Sequence, residues 1–295
     1  MLALSFFVLS SQMERGSSST AMRVAELRAA HLLMDGEPKI LDDRVVLRLL
    51  DPDTIEKIQR HGEELNAPWL LGMRSHVLLR SRYAEDRLAE AVNRGVNQFV
   101  ILGAGYDTFA YRQPPWASGL KIFEVDHPAS QRAKRERLKA AGIETPSNLE
   151  FVSVDFERVS LQEGLAASSL DFLRATIFSC LGVLVYLTEE AAYGVFGLVA
   201  SLPQSSEIVF TFSQPDAALD SAEMARRTKL ASLADSMGEP WRTHFDRVVL
   251  AGRLRAMGFT EISVLDPAEA QAKYFADRTD GLRPPKRENV ATARK

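Results

Sequence analysis

Three short stretches of the chain hold residue types that could cradle a nucleoside. The first is Leu102-Gly103-Ala104-Gly105-Tyr106-Asp107-Thr108. Glycines in this G-x-G spacing let the backbone turn sharply and approach a ligand closely, with Ala104 held between them. The second is Glu124-Val125-Asp126. Asp126 lies about 20 residues beyond the glycines, the spacing at which an acid reaches ribose hydroxyls. The third is Asp155-Phe156, an acid for an exocyclic adenine amine beside an aromatic ring that can pack on the base. Each has a plainer reading alone: a turn at the glycines, a helix N-cap at Asp155, a structural carboxylate at Glu124. In this order on successive apolar runs, they point to a nucleoside-containing cofactor.

The elements that must hold these residues follow from hydrophobic periodicity. Apolar runs at 98–102, 120–126, 149–155, 175–180 and 207–212 read as strands. Helical stretches at 128–141, 160–168 and 188–201 separate them. Pro128 suits a first helical turn, and Thr188 suits an N-cap. Alternation of this kind predicts a parallel sheet with right-handed crossovers, whose ligands sit beyond the carboxyl ends of the strands. Before the sheet, helices are expected to about Met34, over 53–66 and over 69–94. After it come a polar helical insertion at 216–237, a helix at 246–257 and a last strand at 259–265. The basic, proline-containing tail from Arg283 is expected to be loose.

Composition sets outer limits. The 295 residues carry 46% hydrophobic and 25% charged side chains, ordinary for a packed globular core. A net charge of −3, with no basic groove studded with aromatics, argues against nucleic acid. The helix with Arg132, Lys134, Arg135, Arg137 and Lys139 reads as a solvated face. The single cysteine, Cys180, allows no intrachain disulfide and fits a reducing, cytoplasmic setting. The five histidines do not pair at ligand spacing, and no metal site is expected. Residues 2–9 are apolar but lack a basic leader region and are too short to span a bilayer. Residues 1–16 therefore read as an over-long or disordered start, with Met13 as the favoured initiator.

The chain resembles the leucine carboxyl methyltransferase family, and within it a bacterial branch of S-adenosylmethionine-dependent methyltransferases. The resemblance runs from about residue 17 to 280. It rests on Ser19-Thr20-Ala21-Met22-Arg23-Val24-Ala25, on Arg80-Ser81-Arg82-Tyr83-Ala84-Glu85-Asp86 and on the run from Leu102 to Arg112. Phe123-Glu124-Val125-Asp126-His127-Pro128, Val154-Asp155-Phe156, Leu181-Gly182-Val183-Leu184-Val185-Tyr186-Leu187-Thr188 and Arg278-Thr279-Asp280-Gly281-Leu282 complete it. It implies a Rossmann-like class I methyltransferase sheet with helices on both faces and an N-terminal helical extension. Residues 17–282 would form one domain, with 17–95 helical and a lid at 216–237.

The resemblance also implies roles. Arg80 would hold the methionine carboxylate of S-adenosyl-L-methionine, as a guanidinium fork suits a carboxylate. Gly103 and Gly105 would line methionine and ribose, Asp126 would bind the ribose, and Asp155 with Phe156 the adenine. Residues near Thr20 would close over the cofactor. Two positions depart from the eukaryotic members: Met22 stands near a lysine that assists the carboxylate, and Leu181 stands where they carry a glutamate. No catalytic residue is assigned. His127 either approaches the substrate or is structural, and Tyr186 either packs or catalyses. The implied acceptor is a carboxylate or hydroxyl on a small molecule or an exposed carboxyl group. The competing classes are a nicotinamide-dependent oxidoreductase, disfavoured because Thr108 replaces the third glycine of G-x-G-x-x-G, and a non-catalytic cofactor-binding protein.

Overall fold

The computed structural model describes residues 19–155, 159–215, 220–285 and 289–295. The expectations for residues 1–16 and for Phe156 lie outside the described residues, as does the start of the insertion at 216. Among the described residues five helices come first: α1 (Ser19–Met34), α2 (Arg44–Leu49), α3 (Pro52–Arg60), α4 (Gly62–Leu65) and α5 (Pro68–Asn93). The sheet then begins with β1 (Gln98–Leu102), β2 (Lys121–Asp126), α6 (Pro128–Ala140), β3 (Leu149–Ser153) and α7 (Leu161–Ala166). It continues with β4 (Ile177–Cys180), α8 (Glu189–Ser201), β5 (Glu207–Thr211), α9 (Ser221–Ser236) and α10 (Arg247–Ala256). β6 (Glu261–Val264), α11 (Pro267–Tyr274) and β7 (Val290–Arg294) end the chain.

Local chemistry explains many of the boundaries. Pro128 opens α6, and Thr188 caps α8 by accepting from the Ala191 amide. Ser160 and Glu163 form a reciprocal capping box on α7, satisfying two orphan amides. The helix expected over 53–66 is instead two helices, broken where His61 leaves helical geometry ahead of Gly62. The short helices α2 and α11 were not expected. Asp43 and Asp266 cap them through their side chains, a signal too local for a periodicity window.

The strand order is β3-β2-β1-β4-β5-β7-β6. β1 through β5 pair in parallel. β7 runs antiparallel to both β5 and β6, so the sheet is mixed and the fold is Rossmann-like. This corrects the loose tail expected from Arg283. Val290, Ala291 and Ala293 are almost wholly buried, and β7 satisfies the edges of two neighbouring strands. Its Val-Ala-Thr-Ala-Arg sequence carries too little apolar weight to read as a strand on its own.

Alternate residues of each strand feed opposite faces. Val100 and Leu102 pack with Phe178, Phe196 and Phe210 under α7, α8 and α10. Phe99 and Ile101 pack with Phe109, Leu78 and Leu88 under α5. A third core joins the N-terminal helices to Tyr106 and Leu138. Among the described residues no helix is long and apolar enough to cross a membrane.

One basic residue of helix α6 is not solvated. Lys134 is buried, and its ammonium lies 2.6 Å from Glu124 Oε2 and over the Tyr111 ring. Glu124 is thus the structural acid of β2. Burial pushes its carboxyl up to about 7 although Lys134 pulls it down.

Two outcomes follow from this architecture. Removal of residues 290–295 should abolish cooperative folding, because β5 and β6 lose their common neighbour; a sharp urea transition in the shortened chain would contradict the pairing. An acid whose folded pKa is raised contributes less stability as pH climbs from its ordinary value through the raised one. Lys134→Met removes the counter-charge and leaves Glu124 dependent on its proton. Its destabilisation relative to the wild type should therefore be greater at about pH 8 than at about pH 6, by about 1 kcal/mol or more. In the Glu124→Gln/Lys134→Met double variant the difference should vanish, as read by urea denaturation at both pH values.

Candidate functional site

The carboxyl ends of β1, β2, β4 and β5 open into one cavity of about 510 Å³, roofed by the start of α1, by α5 and by α9. Gly103 follows β1 with φ +61°, and Gly105 has φ +45°. A Cβ on Gly103 would stand 2.4 Å from Val183 Cγ2, and one on Gly105 2.9 Å from the Ala21 methyl. The glycines are therefore required twice, by the left-handed turn and by the close approach of two other segments. Ala104 anchors the turn, its amide donating to the Val125 carbonyl at 3.2 Å.

Asp126 meets this turn from the end of β2. Its Oδ2 accepts from the Gly105 amide, and its Oδ1 accepts from the His127 amide at 2.7 Å. Burial raises its pKa, while the two amides oppose that rise. The carboxylate is thus aimed by the backbone and still lines the cavity.

Arg80 reaches the same cavity from α5. Its guanidinium lies against Gly182, where a Cβ would come 2.6 Å from Nη1. Gly182 has φ +74°, and its amide donates to Thr211 Oγ1 at 2.6 Å. The glycine after β4 thus leaves room for the arginine, a role that only the packed structure shows.

Behind the glycine turn lies a buried ionic network. Arg28 of α1 donates to Asp43 Oδ2 at 2.7 Å and also to the Tyr106 carbonyl. Arg112 donates to Thr108 Oγ1 at 3.1 Å and pairs with Glu85 and Asp43. Burial raises the Glu85 pKa, and the Arg112 charge only partly opposes that rise. The turn from Gly103 to Thr108 is therefore held by both Arg28 and Arg112.

The remaining sequence-selected residues divide. Tyr186 lines the cavity in a 3-10 turn, with its hydroxyl towards Thr20 and Trp241. Burial raises its pKa, so it remains a neutral donor at physiological pH. His127 stands at the cavity edge, where its side chain caps α6 by accepting from the Ala129 amide at 3.2 Å. Asp155 is half-buried outside the lining, 3.9 Å from His127 Nε2. Phe156 lies outside the described residues. Thr20 lines the cavity and donates to Glu239, while the Ser19 amide donates to Glu239 Oε1 at 2.9 Å. Asp107 of the glycine run also lines it, as do His76, Gln214, Glu239, Trp241 and Asn289, which were not singled out in sequence. No motif marks them, because helix–helix packing and the late strand bring them there.

A family model described as leucine carboxyl methyltransferase matches residues 21–200. A Bacillus subtilis (strain 168) protein named "Putative S-adenosyl-L-methionine-dependent methyltransferase YktD" is 31% identical over 287 residues, covering 90% of this chain and 94% of that protein. A Mycolicibacterium paratuberculosis protein named "Putative S-adenosyl-L-methionine-dependent methyltransferase" is 30% identical over 219 residues, covering 72% of this chain and 68% of that protein. In fold, the chain is similar to the crystal structure of a "putative methyltransferase" from Thermobifida fusca YX. The TM-score is 0.55 at 17% identity, with 92% of this chain and 94% of that chain covered. With the glycine turn, the acid of β2 and the arginine of α5 converging on one cavity, the chain belongs to the leucine carboxyl methyltransferase family.

Proposed function

We propose that this protein transfers a methyl group from S-adenosyl-L-methionine to an oxygen atom, on a carboxylate or hydroxyl of a small molecule or exposed carboxyl group. The observation that carries the reading is the convergence of Gly103, Gly105, Asp126 and Arg80 on one cavity. The parts fit the cofactor's chemistry. A glycine turn that leaves no room for Cβ atoms gives close backbone approach, Asp126 can accept from both ribose hydroxyls, and Arg80 suits a methionine carboxylate. When bound, the cofactor supplies a sulfonium methyl that is already electrophilic. The protein's work is then to position the acceptor and exclude water. The family and these contacts favour this class over a nicotinamide oxidoreductase and over a cofactor-binding protein without turnover.

Among acceptors, the geometry favours a carboxylate. A carboxylate is ionised at neutral pH and needs no base. Tyr186 keeps its proton and can donate to an acceptor oxygen, fixing the lone pair that attacks. His127 is engaged in capping α6. A hydroxyl acceptor is the second reading, favoured by one observation: the His76 imidazole also lines the cavity. The transferred carbon would form a bond to the acceptor oxygen as its bond to sulfur breaks, with that electron pair leaving on the thioether.

Calorimetry with S-adenosylhomocysteine tests the cofactor site. Asp126→Ala should weaken binding by about 1–3 kcal/mol, as buried hydroxyls lose their acceptor. Asp126→Asn, which keeps an acceptor for the Gly105 amide, should lose less. Arg80→Ala should weaken S-adenosylhomocysteine more than adenosine; equal losses would remove the carboxylate role. The acceptor class is tested by treating the labelled product with mild alkali. Release of methanol identifies a methyl ester, and a resistant ether transfers the base role to His76. Label on nitrogen or carbon overturns the oxygen assignment.

A further inference from the structure

The roof of the cavity carries a stripe that has no place in cofactor binding. Leu230, Leu233, Ala234 and Met237 lie at helical i, i+3, i+4 and i+7 spacing along α9 and its C-cap. That spacing is the core-facing stripe of an ordinary surface helix. Here all four line the cavity, and only Ala234 is buried; Leu230, Leu233 and Met237 remain half-exposed. Val24 and Leu27 of α1 and Met73 of α5 also line the cavity. Polar groups line it as well: Asp126, Thr211 and the glycine turn at the strand ends, Arg80 and His76 on α5, and Glu223 and Arg227 nearer the start of α9. α9 is tied down at its margins. Arg227 donates to the Gln214 carbonyl at 3.1 Å, the Lys229 ammonium lies 4.1 Å from the Trp69 ring centroid, and Glu239 holds the start of α1.

Ala234 is already buried and Leu233 also packs against the N-terminal core, so Leu230 and Met237 are the members of the stripe that gain most from whatever enters the cavity. The ribose acid and the glycine turn stand at β1 and β2, whereas α9 follows β5 and is tied to Gln214 just beyond it. The stripe therefore belongs to the acceptor side. Resting on the methyltransferase reading, we infer that the acceptor is a small molecule with an apolar body, held against Leu230, Leu233 and Met237 while its oxygen faces the polar floor. Acceptor hydroxyls or charges placed against Leu230, Leu233 and Met237 would be desolvated there without partners. α9 is thus the specificity element: it sets the length and polarity of the acceptor and leaves the cofactor site alone.

The test titrates the full chain, saturated with S-adenosylhomocysteine, with straight-chain carboxylates from acetate to decanoate, followed by calorimetry. Affinity should tighten by about fourfold per added methylene until the chamber is filled. Leu230→Asp should flatten that dependence and leave S-adenosylhomocysteine affinity unchanged. Affinity independent of chain length overturns the inference, as does an undiminished dependence in Leu230→Asp. The competing occupant is the apolar stretch at residues 2–9 of this chain. If a chain beginning at Met13 binds the series and the full chain does not, that stretch covers the stripe and the inference also falls. Repeating the series without S-adenosylhomocysteine separates the two readings. A chamber that binds the acids in a protein that never binds S-adenosylhomocysteine would sink the methyltransferase reading and leave the apolar chamber standing.

Discussion

The buried guanidinium of Arg28 is the constraint on which the site depends. It joins Asp43, at the entry to α2, to the Tyr106 carbonyl and the Thr108 hydroxyl inside the glycine turn. Arg28 and Asp43 are both almost wholly excluded from water. Such a pair contributes little net stability once desolvation is counted, but removing either partner strands a charge. Its consequence is geometric. α1 cannot move without the turn, so Ala21 stays against Gly105 and Thr20 stays at the mouth of the cavity. Arg112 repeats the device from the other side through Thr108 and Glu85.

A second buried hub supports the helical extension. Arg74 grips Asp35 through two nitrogens at 2.8 and 2.9 Å, and Asp35 in turn accepts from His31 Nδ1 at 2.8 Å. His31 Nε2 accepts from the Ile40 amide, so the ring's proton sits on Nδ1 and the imidazole is neutral. Together these contacts brace α1 and α5, the two helices that bring Thr20 and Arg80 to the sheet. Directional bonds give the extension a fixed position, where apolar packing alone would tolerate sliding. The division of labour in the cavity follows. The strand ends and braced helices carry the groups read as holding the cofactor, and the later part of α9 carries an apolar stripe.

The sheet's polarity explains why these groups converge at all. In a parallel sheet every strand delivers its last residues to the same edge, so Gly103, Asp126 and Leu181 arrive together although they are distant in sequence. The antiparallel β7 lies between β5 and β6. It brings Asn289 to the rim, 2.8 Å from Gln214, and closes the side of the cavity nearest β5.

Much of this was legible in the linear order of residues. Alternating apolar runs and helical stretches determine the five parallel strands, because strand and helix periods are local properties of the chain. Gly103, Gly105 and Asp126 were recognisable because their chemistry depends on residue type and on the strand that ends beside them. Tertiary structure decided the rest. Glu124 and Asp126 share a strand face, yet only the buried Lys134 makes one structural and leaves the other to line the cavity. β7 is a strand because β5 and β6 need a partner, not because Val-Ala-Thr-Ala-Arg demands one. Gly182 matters because Arg80 lies against it from a helix about a hundred residues earlier in the chain. Non-local contacts of this kind leave no period and no motif. The residue types at two distant positions are each ordinary, and their meaning exists only once folding places them in contact.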